Sequence, residues 1–424
     1  MTNLWTCPGG GAAAGRPGPR FRDAFLGTVA AGALSLAFGG PALACTLSGG
    51  GTIETCTGNQ STGIAIVPPT TVTTLDVNNL AQAITPASGT SGISFISAGA
   101  ITITSNTGAF GITTAGDFAS GIYARARGGG AVTVTSTGNI TTAAHGIYAY
   151  ALGAVTVTSK GDITTRGGNT VGIYAKSLGA GAVTVTSTGN ITATGGFGIA
   201  AESYGIGAGA GAVTVTSTGN IASGADGILA EGNSVGAALV TSSGSIATAG
   251  SGADGIFALS SGLGPVTVTS TGNITTAGNG AVGIQANGSG NGAVTVTSTG
   301  NIATAGAGAT GIVAESNGAV TVTSTGNITT AGANANGIVG SSASSSSSFG
   351  PGSGPGGPIS ITIKSGTVSG GTGTGAGIDI QGGTTNTLTN RGHGDGAVRP
   401  GDRGRHRPQY RQQFRHGDRQ RDSG

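Results

Sequence analysis

Apolar and polar residues alternate along most of this chain in one short pattern that returns many times. Residues 130–142 read GAVTVTSTGNITT, and near copies begin at Gly181, Gly211, Gly292 and Gly318. Alternating Val and Thr is typical of a β-strand with one buried face, and β-branched side chains favour the same conformation. The high content of Gly and Thr would make a helix costly. The repeated pattern therefore predicts strands.

Each repeat contains three short apolar segments separated by Gly-rich turns. In the first clear copy these are AVTVTS at 131–136, NITT at 139–142 and GIYA at 146–149. Alternation places Val132 and Val134 on one face of the first strand. Three strands and three turns in each repeat describe one coil of a parallel β-helix.

The spacing of the copies indicates the architecture. The AVTV segment or its variant begins at Ala131, Ala154, Ala182, Ala212, Ala237, Pro265, Ala293 and Ala319. These starts lie 23 to 30 residues apart, and looser copies begin at Ala100 and Pro358. Repeats of this length predict a solenoid. We therefore predict an all-β fold, a right-handed parallel β-helix of roughly ten coils, with its repetitive part at 100–390.

Stacking of the coils explains why they are so alike. One coil cannot bury Val132, Val134, Ile140 and Ile147 by itself, whereas coils about 4.8 Å apart place each residue on its counterpart in the next coil. We predict that these four residues belong to the core ladders. The Asn that opens the NITT segment, such as Asn139, is expected to adopt a left-handed conformation and to form a side-chain hydrogen-bond ladder.

The outward positions and the loops are the candidate binding surfaces. Thr133 and Thr135 point away from the predicted core, and their repetition predicts a regular surface Thr array. Loop length varies near the GI segment, and loops commonly carry specificity. Residues 341–357, SSASSSSSFGPGSGPGG, are predicted to be a low-complexity loop.

Composition and charge favour many thin layers over one thick core. The 424 residues include 88 Gly, and 8% are charged, whereas a globular enzyme carries about a quarter charged residues. Residues 391–424 hold nine Arg and four Asp, which leaves nine basic and eleven acidic residues in the rest of the chain. The repetitive body is therefore weakly acidic, so a nucleic-acid partner is not expected.

Residues 1–44 have the features of an export signal. Arginines precede an apolar run at 24–38, and Ala42 and Ala44 supply the small residues of a cleavage site before Cys45. The apolar run is short for a membrane span, which disfavours the alternative of an N-terminal anchor helix. We expect cleavage between Ala44 and Cys45, with entry coils at 45–99.

The cysteine content predicts one disulfide bond. Cleavage after Ala44 removes Cys7 and leaves Cys45 and Cys56. An even pair in an exported chain predicts a disulfide that closes a short loop. Such a bond stabilises a fold by roughly 2–3 kcal/mol.

The export signal, the Cys45–Cys56 pair and imperfect coils of the form GAVTVTSTGNI…GI.A resemble the passenger domain of a bacterial autotransporter. The resemblance covers about residues 45–390. It implies a surface-exposed or secreted protein, often an adhesin and sometimes an enzyme, that crosses the outer membrane through a C-terminal β-barrel. The implied partner is an unidentified extracellular ligand: a carbohydrate, a matrix component or a neighbouring cell surface.

The sequence changes character at Arg391. Nothing after Asn390 resembles the amphipathic strands of a translocator barrel. Read one base later, residues 392–403 can be respelled GTVTALSGLAIE, in the style of the body. We hypothesise a frameshift near Arg391 that leaves 391–424 as an unstructured basic tail and hides the barrel, so that this chain stays in the periplasm. A natural disordered tail that binds nucleic acid or an anionic surface is the alternative.

Candidate chemistry is sparse, and we predict no catalytic, cofactor-binding or metal-binding residues and no cofactor. Enzymatic β-helices cluster Asp, Arg and Lys on one face. Asp226 and Asp254 occupy equivalent GADGI positions, but two carboxylates are too few for a calcium site. We expect both to be solvated loop residues.

Three glutamates of the repeats are also expected to be exposed, because Glu202, Glu231 and Glu315 follow their GI segments at the same distance. His145 is a lone loop histidine with no partner in its own coil. A carbohydrate-active enzyme is disfavoured because clustered carboxylates are missing. An ice-binding Thr array is the other alternative, although the variable coil length and the replacement of Thr by Ser argue against a flat lattice.

Overall fold

The strands in this chain stack into a solenoid, as the alternation of the sequence predicts. A computed structural model describes residues 43–205, 211–233, 235–342, 356–392, 398–400 and 409–414. These residues form an all-β fold without helices, in which parallel sheets build a β-solenoid of about 11 turns. The predicted all-β parallel solenoid is confirmed.

Three sheets run the length of the solenoid, and each complete coil contributes one strand to each sheet. Sheet A contains β1 (Leu43–Ser48), β2 (Ile53–Gly58), β4 (Thr74–Leu80), β6 (Ile101–Asn106), β9 (Val132–Thr137), β12 (Val155–Lys160), β15 (Val183–Ser187), β18 (Val213–Ser217), β21 (Ala238–Ser242), β24 (Val266–Ser270), β27 (Val294–Ser298), β30 (Val320–Ser324), β33 (Ile359–Ile363), β36 (Thr385–Asn390) and β38 (Gln409–Phe414). This sheet is built from the AVTV segments.

The GI segments form sheet B, and the NIT segments form sheet C. Sheet B contains β3 (Ile64–Ile66), β5 (Ile93–Ser97), β8 (Ile122–Ala126), β11 (Ile147–Ala151), β14 (Ile173–Ser177), β17 (Ile199–Ser203), β20 (Ile228–Gly232), β23 (Ile256–Ser260), β26 (Ile284–Gly288), β29 (Ile312–Ser316), β32 (Ile338–Ser342), β35 (Ile378–Gly382) and β37 (Val398–Pro400). Sheet C contains β7 (Ile112–Thr113), β10 (Ile140–Thr142), β13 (Ile163–Gly168), β16 (Ile191–Gly195), β19 (Ile221–Ser223), β22 (Ile246–Thr248), β25 (Ile274–Thr276), β28 (Ile302–Thr304), β31 (Ile328–Thr330) and β34 (Val368–Ser369).

The core consists of ladders of like residues. Val132, Val134, Ile140 and Ile147 are all buried, with at most 1% of each side chain exposed. Each pairs in parallel with the same residue type in the following coil, for example Val132 with Val155. Because stacked like side chains exclude water along the whole interior, the coils share one dry core that no single coil could form.

The Gly of the GI segment is required by close packing between sheets B and C. A Cβ atom on Gly146 would lie 2.4 Å from Cγ2 of Ile163 and 2.4 Å from the carbonyl oxygen of Gly172. The same contact recurs one coil later, where Gly172 faces Ile191. The sheet C isoleucine therefore occupies the space that any larger residue would need.

The first described strands depart from the parallel pattern. Strands β1 and β2 form an antiparallel hairpin in which Cys45 lies directly opposite Cys56, and a disulfide joins the two. The proposed cleavage site between Ala44 and Cys45 falls within β1, while residues 1–42 lie outside the described residues. From β2 onward every neighbouring strand pair within sheet A is parallel, beginning with β2 and β4.

The later part of the chain continues the same sheets. Residues 343–355 of the predicted low-complexity loop lie outside the described residues, and β33 pairs in register with β30 on either side of them. In the tail, β37 pairs in parallel with β35, and β38 pairs in parallel with β36. We expected 391–424 to be unstructured; these two strands depart from that expectation, and the rest of the tail beyond Gly392 lies outside the described residues.

Candidate binding faces of the solenoid

The outward face of sheet A is an ordered array of threonines, which we call the Thr face. Its first column contains Thr102, Thr133, Thr156, Thr184, Thr214, Leu239, Thr267, Thr295, Thr321, Ser360 and Thr387. Its second column contains Thr104, Thr135, Thr158, Thr186, Thr216, Thr241, Thr269, Thr297, Thr323, Thr362 and Thr389. Thr133 and Thr135 are half-buried members of these columns.

The Thr face is more regular than the sequence suggested. From β6 to β36 the strand pairs of sheet A show no shift of register. The variable loops lie between the sheets, so the coil length of 23 to 30 residues does not disturb the columns. Ser replaces Thr only at Ser360, and Leu239 is the other interruption.

The outward face of sheet B, which we call the variable face, differs from coil to coil. Its first column contains Ser94, Tyr123, Tyr148, Tyr174, Ala200, Leu229, Phe257, Gln285, Val313, Val339 and Asp379. Its second column contains Ile96, Arg125, Tyr150, Lys176, Glu202, Glu231, Leu259, Asn287, Glu315, Ser341 and Gln381.

Tyrosine rings stack on the variable face. The ring centroids of Tyr123 and Tyr148 are 5.0 Å apart with planes inclined by 10°, and those of Tyr148 and Tyr174 are 5.2 Å apart. Tyr150 lies parallel to Tyr148, and the guanidinium of Arg125 lies 5.1 Å from the Tyr150 ring centroid. Sequence reasoning missed this group. The repeated GIYA string held the signal, because its Tyr follows the inward Ile in three successive coils.

A second apolar cluster covers the outside of sheet B next to the tyrosines. Its buried members are Val171, Tyr174, Ala200 and Leu229, and Tyr148, Phe197 and Phe257 pack against them. Val171 and Phe197 come from the segments that precede β14 and β17. These segments therefore fix the ring positions of the variable face from the outside.

Acidic and basic groups meet in the middle of the variable face. The Lys176 ammonium lies 3.0 Å from Oε2 of Glu202 and 4.2 Å from the ring centroid of Tyr204. The Tyr174 hydroxyl donates to Oε2 of Glu202 over 3.3 Å, and the Tyr204 hydroxyl donates to Oε2 of Glu231 over 2.9 Å. Burial, together with the neighbouring Glu202 charge, raises the pKa of Glu231. The expectation that Glu202 is exposed was wrong, because only 6% of it is accessible.

His145 lies at the edge of the same group. Its Nδ1 accepts a hydrogen bond from the backbone N–H of Val171 over 3.0 Å, and its ring lies 5.5 Å from that of Tyr148. Burial lowers the pKa of His145 to about 4. At neutral pH the ring is therefore an uncharged acceptor for the following coil.

The two aspartates of the GADGI segments are buried, so the expectation that they are solvated was wrong. Oδ1 of Asp226 accepts the backbone N–H of Asp254 over 2.7 Å, and Oδ1 of Asp254 accepts that of Val282 over 2.8 Å. His145 and Asn336 accept the corresponding N–H groups of Val171 and Ala376. Each acceptor satisfies a backbone donor that the corner would otherwise leave unpaired.

The predicted Asn ladder exists, but its geometry differs from the expectation. Oδ1 of Asn190 accepts the backbone N–H of Asn220 over 3.0 Å, and Oδ1 of Asn301 accepts that of Asn327 over 2.9 Å. The bonds therefore join a side chain to the backbone of the next coil. Among the described residues other than Gly, a positive φ occurs only at Asn79, Phe118, Asn169 and Asn334. The expectation that the ladder Asn residues, such as Asn139, adopt a left-handed conformation was therefore wrong.

Potential metal ligands are scarce among the described residues. The one group of three close His, Cys, Asp or Glu residues there is Cys45, Glu54 and Cys56. The two sulfur atoms of this group are bonded to each other. A disulfide sulfur is not the thiolate that binds metals, so this group is a structural one.

Comparisons with known proteins found no match, so the function is inferred from the fold and from the two faces. No protein-family model matches the chain, and no curated protein or solved structure matches it either. Within the part of the chain that the structure describes, no helix is long and apolar enough to cross a membrane. The geometry defines a β-solenoid with one uniform face and one variable face.

Proposed function

We propose that this chain is an adhesin-like extracellular rod without enzymatic activity, of the autotransporter passenger type, and that the variable face binds its ligand. The ligand is a carbohydrate, a matrix component or a neighbouring cell surface. One observation carries the proposal: the outward residues of sheet B change from coil to coil, while the inward residues and the Thr face repeat.

Stacking alone accounts for the repetition but not for the variation. Inward Val and Ile are alike because each packs on its counterpart. Outward Tyr148, Lys176 and Glu231 have no such constraint, yet they bring large aromatic and charged groups to a chain with 4% aromatic and 8% charged residues. Partly accessible aromatic and charged residues on a rigid scaffold are characteristic of binding surfaces.

Two neighbouring carboxylates of the variable face support a binding role over catalysis. Glu202 is paired with Lys176, and Glu231 accepts the hydroxyl of Tyr204. A general acid or base must reach a substrate proton. Glu202 is buried under its partners, so a substrate would have to break the ion pair first.

Export is supported by two independent features. The sequence before Cys45 has the order of a secretory signal, and Cys45 forms a cross-strand disulfide, a bond that persists in oxidising compartments. Mass spectrometry of the chain recovered from expressing bacteria tests this proposal. A mature N-terminus at Cys45 in the periplasmic or surface fraction is the expected result, and an intact Met1 in the cytoplasm is the contrary one.

Ice binding by the Thr face is a second candidate. The observation in its favour is the unbroken register from β6 to β36, which aligns two Thr columns over eleven strands. Strands in a sheet lie about 4.8 Å apart, so the hydroxyl and methyl groups form a regular two-dimensional array. A regular array of this kind can order water into a lattice.

Paired variants of the full chain separate the two candidates. Tyr148→Ala/Tyr150→Ala removes aromatic groups from the variable face, and Thr184→Val/Thr186→Val removes hydroxyl groups from the Thr face at nearly constant shape. We expect beads coated with the Tyr variant to lose at least about tenfold in attachment to cells and matrix. The Thr variant should attach as the parent chain does. Far-ultraviolet circular dichroism of both variants checks that the fold is retained.

The contrary results are equally specific. If attachment survives in the Tyr variant and disappears in the Thr variant, the Thr face binds the ligand, and the proposal that the variable face does so is wrong. Thermal hysteresis in the parent chain that is lost only in the Thr variant would establish the ice-binding candidate. Absence of attachment by the parent chain to any cell or matrix surface would reject the adhesin proposal.

A further inference from the structure

We propose that one end of the variable face, formed by Tyr123, Arg125, Arg127, Tyr148 and Tyr150, binds an acidic polysaccharide through its carboxylate or sulfate groups. We call these five residues the Tyr–Arg site. The inference rests on the proposed adhesive function of the variable face and specifies its ligand class.

The distribution of residue types singles out this part of the solenoid. Between residues 43 and 392 the chain has five Tyr, and all of them lie between Tyr123 and Tyr204. The same range has seven Lys and Arg, five of which lie between Arg125 and Lys176. The later coils offer Gln, Val, Asn and Glu at the equivalent outward positions. Tyrosines and basic residues are therefore concentrated on a few adjacent coils.

Among the described residues, the basic side chains of the variable face that form no ion pair lie at the Tyr–Arg site, whereas Glu231, Glu315 and Asp379 belong to later coils. In the following coils, Lys176 of β14 forms an ion pair with Glu202 of β17, so the two charges neutralise each other. That ion pair is the single one among the described residues, so neither Arg125 nor Arg127 has a carboxylate within ion-pair distance there. Arg127 is exposed, and Arg125 is half-buried against the Tyr150 ring.

Packing on tyrosine holds Arg125 ready for an anion. A guanidinium is planar by itself, and contact with an aromatic ring restricts its orientation, so it loses little further entropy when it binds an anion. A planar guanidinium matches a carboxylate or sulfate with two parallel hydrogen bonds. An ammonium or a neutral side chain would not provide this geometry.

The tyrosine stack provides the part of the site that recognises sugar rings. Tyr123, Tyr148 and Tyr150 are half-buried, so parts of each ring remain accessible. The rings of Tyr123 and Tyr148 are stacked face to face, so their outward edges repeat at the 5.0 Å centroid spacing, close to the length of one sugar ring in an extended polysaccharide. Tyr123 pairs with the small Ser94 in the preceding coil, so one face of the stack ends without a further ring among the described residues. An aromatic face of this kind packs well on the apolar face of a sugar.

The experiment measures binding of the full chain to immobilised polysaccharides by surface plasmon resonance. The probes are a carboxylated polysaccharide (polygalacturonate), a sulfated one (chondroitin sulfate), a neutral one (dextran) and vesicles of phosphatidylserine and phosphatidylcholine. We expect binding to at least one acidic polysaccharide, none to dextran, and affinity that falls with added salt.

A matched pair of variants tests the position of the site. Arg125→Gln/Arg127→Gln should weaken binding to the acidic polysaccharide by at least about tenfold, because both charge-assisted contacts are lost. Lys160→Gln/Arg166→Gln removes the same charge from exposed positions outside the variable face, at the end of β12 and in β13. This control should bind within about twofold of the parent chain.

Several outcomes would overturn the inference. If both double variants lose affinity equally, the effect is one of general charge and not of the Tyr–Arg site. If the parent chain binds dextran or the vesicles more strongly than the acidic polysaccharides, the proposed ligand class is wrong. If cell attachment needs Tyr148 and Tyr150 but no acidic polysaccharide binds, this inference fails and the adhesive function stands. If the parent chain attaches to no cell or matrix surface, the adhesive function fails, whatever the polysaccharide result.

Discussion

The Thr face and the variable face belong to the same coils, yet their sequences follow opposite rules. On the Thr face, Thr133 and its counterparts repeat in nearly every coil, whereas on the variable face Tyr148 is followed by Tyr, Ala, Leu and Phe. Both faces lie outside the same kind of inward ladder. Backbone stacking therefore permits variation on either face, and its restriction to sheet B calls for a cause outside the fold.

The largest expected effect separates inward from outward positions. Val185 lies between Val157 and Val215 in the core ladder and is fully buried. Val185→Asp places an unpaired charge there and should cost several kcal/mol, enough to abolish cooperative folding. The control Thr186→Asp changes the adjacent outward residue and should cost no more than about 1 kcal/mol. Urea denaturation followed by circular dichroism measures both, and equal costs would contradict the inward ladder.

A second prediction uses pH to test His145 at the edge of the variable face; the columns of the Thr face contain no ionisable residue. His145 is uncharged in the folded chain, with a pKa lowered by burial to about 4 from 6.5. As pH falls below 6.5, the unfolded chain takes up a proton that the folded chain does not, so stability decreases until pH reaches about 4. The loss is about 3 kcal/mol at most.

His145→Asn is the matched variant for this pH prediction, because Asn336 already accepts the equivalent N–H of Ala376. The variant should keep the hydrogen bond and lose the stability decrease between pH 6.5 and 4. The raised pKa of Glu231 acts in the opposite sense, since a carboxyl with a raised pKa favours the folded chain as pH falls. An identical pH profile for parent and variant would reject the role of His145.

The third prediction tests how far variation on sheet B is permitted. Gly172→Ala would place a Cβ 2.4 Å from Cγ2 of Ile191 and 2.5 Å from the carbonyl oxygen of Gly198. We expect a loss of about 1–3 kcal/mol from overpacking. Gly168→Ala has no atom within 4 Å of its Cβ and should be nearly neutral. Thermal unfolding of the two variants gives the comparison, and a neutral Gly172→Ala would contradict the close packing of sheets B and C.

The smallest expected effect restores uniformity to the Thr face. Leu239 interrupts the first Thr column and is 38% exposed. Leu239→Thr should change stability by no more than about 0.5 kcal/mol. If the Thr face binds ice, the same variant should increase thermal hysteresis. Unchanged hysteresis together with unchanged stability would favour a purely structural Thr face.

The sequence predicted those parts of the fold that depend on short-range alternation and on the repeat length. Val132 and Val134 could be placed in the core because a strand alternates its faces and stacked coils align like residues. The parallel solenoid followed from the same two facts. The burial of Asp226 and Asp254 could not be predicted, because it depends on which N–H group of the following coil lacks a partner.

The variable face was also beyond the reach of single-coil reasoning. Tyr123 and Tyr148 are separated by 25 residues in the sequence, and they become neighbours only when strands β8 and β11 are aligned. The ion pair of Lys176 with Glu202 has the same origin. Residues that are far apart in the sequence become neighbours on one surface when the strands are aligned. Their interactions therefore depend on strand alignment and not on local sequence.

The side-chain ladder at the Asn corner also has a direction. In every bond described, Oδ1 of an earlier coil accepts a backbone N–H of the coil that follows, as Asn190 does for Asn220. When a coil has formed and the following one has not, the Oδ1 atom of its corner Asn still lacks this hydrogen bond. That atom can then accept the backbone N–H of the next coil as that coil folds. Assembly that advances in chain order completes these bonds one layer at a time, which suits a polypeptide that emerges gradually from a pore or a ribosome.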